Sequence, residues 1–202
     1  MKKWFLGHIA TIVTVSMLFG FVGCAKETPA EYFDYEIEGN HIIITGLVKT
    51  DLEKIVIPER IKGSFVTEIA EDAFRECTNL ISVTIPDSVT KIDEDAFEDC
   101  TGLVEVIIPD SVKEIGDSAF RGCTSLTSIE IPTSITIIEE GSFIDCTGLT
   151  SMVIPFVGST RNGILNKTHF GYIFGASSYK DNSSCVPATL KELKITGGKI
   201  SY

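Results

Sequence analysis

Apolar residues return along the middle of the chain at an interval of 23 that does not drift. Phe74, Phe97, Phe120 and Phe143 obey it, as do Cys77, Cys100, Cys123 and Cys146, and Leu80, Leu103, Leu126 and Leu149. Ile69, Ile92, Ile115 and Ile138 form a further column, and Pro86, Pro109, Pro132 and Pro155 another. Within each unit the pattern changes period. In "LVEVIIP", Val106 and Ile108 alternate with Glu105 and Ile107, the period of two that predicts a short strand with one buried face. Pro109 has no N–H to donate and stops that strand's ladder. Beyond it Val112 and Ile115 lie three apart, and Ala119, Phe120 and Cys123 follow at spacings that close one helical face. Each unit is therefore expected to cross back through a turn or two of helix or 3₁₀. An upstream copy, "DLEKIVIPERIKGSFVTEI", matches at Leu52, Ile55, Ile57 and Pro58, with five extra residues before Val66. A downstream copy, "TLKELKIT", matches at Leu190, Leu193 and Ile195.

A unit this short cannot bury its apolar face alone; it buries it against its neighbours. Equivalent side chains then stack at about the strand spacing of 4.7–4.9 Å, so that Phe meets Phe and Leu meets Leu. The period lies in the leucine-rich repeat range and is too short for ankyrin or tetratricopeptide units. The expected architecture is an α/β solenoid, a right-handed coil with about six short parallel strands. At its start, "YFDYEIEGNHIIITGL" alternates Phe33, Tyr35 and Ile37, turns at Gly39-Asn40 and returns through His41 to Ile44, which predicts a β-hairpin cap over the first coil. Residues 162–185, "NGILNKTHFGYIFGASSYKDNSSC", break the repeat. This irregular insertion before the last strand reads either as a tolerated excursion or as a contact loop on a rigid scaffold.

"IPDSVTKIDEDAFEDCTGL" closely resembles the BspA-like, Treponema-type class of bacterial leucine-rich repeats, over about residues 52–155. The hairpin and the insertion resemble features of such arrays as well. What the resemblance implies is attachment: to host matrix glycoproteins, host cells or other bacteria.

Ahead of the repeats, Lys2 and Lys3 precede an apolar run from Trp4 to Val22, the layout of a secretory signal. It ends in Phe21-Val22-Gly23-Cys24, which resembles the bacterial lipobox, with Phe21 in place of the usual Leu; a plain membrane anchor is the other reading. The resemblance implies cleavage before Cys24 and a lipid anchor on it, holding the chain at the bacterial cell surface. The chain divides accordingly into a signal peptide (1–23), a tether (24–31), the cap hairpin (32–48), leucine-rich repeats (49–155), the insertion (156–186) and a last, incomplete repeat (187–202). The formal charge is −11 over 202 residues, and loss of Lys2 and Lys3 makes it −13. Such acidity argues against nucleic acid, whose phosphates need clustered Lys and Arg.

Candidate chemistry is sparse. The four column cysteines have no second Cys or His close in sequence to complete a zinc set, and they read as buried thiols giving weak S–H bonds to backbone. The acids Asp93, Glu94, Asp95, Glu98 and Asp99 lack the calcium-loop spacing and read as a solvated helical turn with acids near its N-terminus. His169 and Cys185 share the insertion, but nothing supplies an orienting third group or an oxyanion site. The chain is read as non-catalytic, with no cofactor and no metal. What remains is the outward strand face, where Ser82, Thr84, Glu105, Ile107, Ser128, Glu130, Ser151 and Val153 are the candidate binding residues. Its implied partner is a protein or glycoprotein; the alternative is an envelope scaffold or spacer with no ligand of its own.

Overall fold

The computed structural model describes residues 26–160 and 169–197. The expected signal segment and Cys24 lie outside the described residues, as do 161–168 of the insertion and 198–202. Strands β1 (Phe33–Glu38) and β2 (His41–Leu47) form an antiparallel hairpin. β3 (Lys54–Val56) opens the first coil, and the extra residues before Val66 become a second hairpin, β4 (Arg60–Ile61) against β5 (Ser64–Ile69). Its turn, Lys62-Gly63, has positive φ at both residues, 51° and 87°, the sense of twist that suits a two-residue hairpin. Regular coils follow, with β6 (Ser82–Thr84), β7 (Lys91–Ile92), β8 (Glu105–Ile107), β9 (Glu114–Ile115), β10 (Ser128–Glu130), β11 (Ile137–Ile138), β12 (Ser151–Ile154) and, after the insertion, β13 (Glu192–Ile195).

The coil has three sides. On one, β3, β6 and β8 form a parallel sheet and β10, β12 and β13 another, with β8 and β10 side by side at the junction. On the second, the hairpin joins the two-residue strands in the order β1-β2-β5-β7-β9-β11. The third side consists of turns. There the N–H groups of Phe74, Phe97 and Phe120 donate to the carbonyls of Ala96, Ala119 and Ser142 in the next coil, each at 2.8 Å.

The crossing is thus a two-residue strand followed by linked turns, where the apolar spacing predicts a turn or two of helix or 3₁₀. The physical reason lies in two further columns of period 23. Asp72, Asp95, Ser118 and Gly141, and likewise Glu76, Asp99, Gly122 and Asp145, are all left-handed, with φ between 51° and 69°. A right-handed helix cannot pass through a left-handed residue every four positions. Asp and Gly tolerate that conformation best, and the backbone donors freed by it bond between coils. The acids are therefore turn formers, and the expected acidic helix start is absent among the described residues. Burial nevertheless follows the predicted columns: Val112, Ile115, Ala119, Phe120 and Cys123 are all fully buried.

The rings of Phe74, Phe97, Phe120 and Phe143 stack at 5.0, 5.2 and 5.4 Å between centroids, within 15° of parallel, inside the range favoured by offset aromatic pairs. At the first coil, β2 pairs in parallel with β5 and buries Ile42 and Ile44. Phe33 of β1 is buried too, while Ile37 near the tip is exposed. At the far end the insertion replaces a coil. Gly141 and Phe143 donate their N–H to the carbonyls of Tyr172 and Ile173, and Ile138 to that of Ser159, at 3.0, 2.8 and 2.8 Å. Phe174 takes the next place in the ring column, tilted by 53° at 6.4 Å. Beyond it Ser151 pairs with Glu192, 41 positions on, where Ser82 pairs with Glu105, 23 on.

Replacing Phe120 by Ala is expected to cost about 3–5 kcal/mol, because it opens a cavity between two rings that cannot close without moving both coils. Chemical denaturation of the variant measures it, and an unchanged midpoint would count against the stacked core.

Candidate functional site

Each long strand is three or four residues, so the alternation of its side chains decides which face they take. Val83, Val106, Ile129 and Met152 point inward and are buried. Their flanking residues therefore point outward, and the parallel register aligns them in rows: Ser82 opposite Glu105, Thr84 opposite Ile107, Ser128 opposite Ser151 and Glu130 opposite Val153. All eight candidate residues lie on this one face, Glu105, Ile107, Ser128 and Glu130 exposed and the other four half-buried. The junction of β8 and β10 divides it, since the ladder that joins Ser82 to Glu105 does not continue across it among the described residues.

Ile107 is 54% exposed, and Val104 and Ile81 are 44% and 37% exposed. Val104 and Ile81 escape the sequence reading because they precede their strands. The signal that finds them is the column itself, which continues as Thr127 and Thr150, both polar. Apolar exposure is thus concentrated on the β6–β8 half of the face, and the β10–β12 half carries hydroxyls and Glu130. Isolated exposed apolar residues are ordinary; three at β6 and β8 make this the more apolar half.

The other candidate chemistries have structural occupations. Cys100, Cys123 and Cys146 donate Sγ–H to the carbonyls of Phe74, Phe97 and Phe120, one coil back, at 3.0, 3.3 and 3.1 Å. Those same carbonyls accept the N–H of Cys77, Cys100 and Cys123, so both lone pairs are used. Burial pushes the thiols up: Cys146 to about 12, and Cys123 and Cys100 also well above their usual value. They are neutral, unreactive and unpaired.

Asp72, Asp95 and Glu98 bring carboxylate oxygens together as a metal site would, but a guanidinium already sits among them. Arg75 contacts Asp72 at 2.8 Å, Asp95 at 3.7 Å and Glu98 at 2.7 Å, and Arg121 reaches Glu98 from the next coil at 3.2 Å. The group serves as an ion-pair column with a buried carboxylate at its centre. Burial of Glu98 raises its pKa, Asp95 adds to the rise, and Arg75 and Arg121 oppose it.

His169 does not meet Cys185. Asn182 Oδ1 accepts from the Gly171 N–H at 3.1 Å and from His169 Nδ1 at 2.9 Å, so the ring carries its proton on Nδ1. Asn182 begins the short helix α1 (Asn182–Cys185), in which Cys185 Sγ lies 3.9 Å from Ser184 Oγ. Asn182 thereby ties α1 to the capping turn Phe170–Phe174, a structural task the sequence does not advertise.

Residues 47–170 match the BspA type leucine rich repeat region in six copies. The chain belongs to that family, whose repeats are interaction scaffolds and generally not enzymes. Among solved structures it is similar to a leucine rich repeat protein of T. pallidum, with 30% identity and a TM-score of 0.61 over 84% of this chain and 64% of that one. A leucine rich cell surface protein of Faecalibacterium prausnitzii shares 26% identity at a TM-score of 0.60, over 85% of this chain and 43% of that one. A leucine-rich repeat protein of Bacteroides capillosus shares 29% identity at a TM-score of 0.50, over 55% of this chain and 86% of that one. The chain thus spans under two thirds of the length of the first two. No curated protein matches it.

Two measurements test the occupations assigned above. Under native conditions at mildly alkaline pH a thiol reagent should modify Cys185 and leave Cys100, Cys123 and Cys146 untouched until denaturant is added; mass mapping of the labelled sites decides it. For Glu98 the folded pKa lies above the unfolded one, so its proton stabilises the fold at low pH and that contribution is lost as pH rises through the folded value. The melting temperature of Glu98→Gln relative to the parent should therefore be more favourable at neutral pH than at pH near the ordinary carboxyl range.

Proposed function

We propose that the chain is a lipid-anchored bacterial surface protein that holds a protein or glycoprotein partner on the outward face of its parallel strands. The observation that carries this reading is Ile107, more than half exposed on β8, with exposed Val104 just before the same strand and exposed Ile81 just before β6. An apolar side chain on a short strand laddered to β6 loses little conformational entropy when a partner covers it. Glu105 and Glu130 flank it and add charge selection. Acidic flanks favour a partner with basic groups at its rim.

Support for the outer location comes from the similar Faecalibacterium protein, which is described as a cell surface protein, and from the signal-like segment ending at Cys24. Anchored at Cys24, the coil would present its face outside the cell. The host-matrix partners that the family resemblance implies fit this placement, and no nucleic acid fits a chain of charge −11.

The test is binding of the full chain, in detergent, to immobilised matrix and surface glycoproteins. Replacing Ile107, Glu130 and Val153 together by Ser should weaken capture by tenfold or more, on the order of 1.4 kcal/mol, with the melting temperature retained. Undiminished capture by that triple variant would assign binding elsewhere or nowhere.

A further inference from the structure

The regular coils run from proline to the next buried anchor in three residues, Pro86 to Val89, Pro109 to Val112 and Pro132 to Ile135. The first coil inserts the β4–β5 hairpin at that place. β4 pairs with the outer part of β5, which meets β7 only at Glu68 and Ile69. Between the hairpin and the corner of the next coil lies an open cleft of about 290 Å³, lined by His41, Glu59, Phe65, Thr67, Asp87 and Ser88. The corner is tied to the base of the hairpin: the Glu59 carbonyl accepts the Val66 N–H at 2.9 Å and the Ser88 hydroxyl at 3.4 Å. The hydroxyls of Ser111 and Ser134, which stand where Ser88 stands in other coils, find no such partner among the described residues. The cleft is therefore a singular feature of a repetitive molecule.

Phe65 supplies its aromatic surface and is 39% exposed. His41 of β2 and Arg60 of β4 pair with Phe65 from either side, and directly opposed residues share a face of the sheet. The guanidinium carbon of Arg60 lies 3.3 Å from the centre of the ring, and its Nη1 donates to the Gly63 carbonyl at 2.8 Å. One face of the ring is thus taken by a fixed cation. The cleft, which Phe65 lines and Arg60 does not, meets the remainder. Around it stand the exposed side chains of Glu59 and Asp87, whose carboxylates only accept, and groups that both donate and accept, the hydroxyls of Thr67 and Ser88 and the imidazole of His41. No third ligand completes a metal site with these acids: among the described residues the carboxylates that gather in that way are those of Asp72, Asp95 and Glu98.

We infer that this cleft is a sugar-binding site for one neutral pyranose, whose apolar C–H face packs on Phe65 while its hydroxyls donate to Glu59 and Asp87. A pyranose combines an apolar ring face with several O–H donors, which matches a concavity made of one aromatic ring and acceptor-only carboxylates. A cationic ligand is disfavoured, because the ring's quadrupole already attracts Arg60 and a second cation would be repelled by the first. An acidic sugar is disfavoured by the charges of Glu59 and Asp87. The volume lies near the lower end for ligand pockets and suits a single ring. β5 and β8 belong to different sheets, so this site is separate from the outward face that carries Ile107.

Saturation-transfer difference NMR of the full chain, in a detergent without a sugar headgroup, tests this with the methyl glycosides of glucose, galactose, mannose and N-acetylglucosamine. A ligand of about a dozen heavy atoms should bind with a Kd on the order of millimolar, with transfer strongest to the C–H protons of one ring face. Phe65→Ala should weaken binding about tenfold or more. The double variant Glu59→Gln, Asp87→Asn keeps the shape of the cleft and should weaken it as well. Both should retain the parent's melting temperature, since all three side chains are exposed. The triple Ser variant at Ile107, Glu130 and Val153 should bind the sugar as the parent does, which keeps the outcome for this site apart from that for the outward face. A neutral oligosaccharide of the best-bound sugar separates two sources: tighter binding supports a glycan, and equal binding a free sugar. The inference is overturned if none of the methyl glycosides shows transfer at millimolar concentration, or if transfer survives undiminished in both cleft variants. Binding of glucuronate or choline without binding of the neutral glycosides overturns it too.

Discussion

No coil of this protein can bury its own apolar layer or pair all of its own backbone, and that constraint organises everything else. The N–H of a turn residue such as Phe97 is satisfied by Ala119 in the next coil, and the carbonyl of Phe97 by Cys100 and by the thiol of Cys123. Ring on ring, the Phe column fills the space that these bonds enclose. A change of identity in any column is therefore felt by two neighbours, which keeps residues of one type repeating at one interval. Ser142 illustrates the tolerance: it stands where Ala73, Ala96 and Ala119 stand in other coils, fully buried, with its hydroxyl bonded to the carbonyls of Gly116 and Glu139. A polar substitute is accepted in that column because it brings its own partners.

The same constraint explains why so little reactive chemistry survives. Buried thiols and the carboxylate of Glu98 are spent on bonds between coils, and His169 on a bond within the insertion. Glu98 shows the limit of the scheme: a buried carboxylate is costly, and it persists where Arg75 and Arg121 approach it from the coils on either side. What the coils do not consume is the outward side of the long strands. Function, in a molecule built this way, falls to a surface whose stiffness comes from the ladders beneath it.

The insertion stands in for a coil. Its carbonyls at Tyr172 and Ile173 sit where a further coil would place its own, and Phe174 continues the ring column at a tilt. It is therefore a cap for two sides of the solenoid before it is anything else. The hairpin does the corresponding work at the first coil through Ile42 and Ile44. The hairpin and the insertion each stand where a neighbouring coil would.

Read alone, the sequence determines the coil: a fixed interval, strict columns and a proline after each strand leave one way to stack the units, and the buried set follows from it. It also places the outward residues from Ser82 to Val153, because strand alternation depends on nothing beyond the next residue. Only the tertiary structure decides the rest. Asp95 and Asp99 take left-handed turns and not helical ones because their donors find partners in the adjacent coil, which no local spacing reveals. Val104 and Ile81 are exposed, Arg75 occupies the acidic cluster, and His169 is held by Asn182 and not by Cys185. Each of these depends on which groups meet across a distance in sequence, and local propensity carries no information about such meetings.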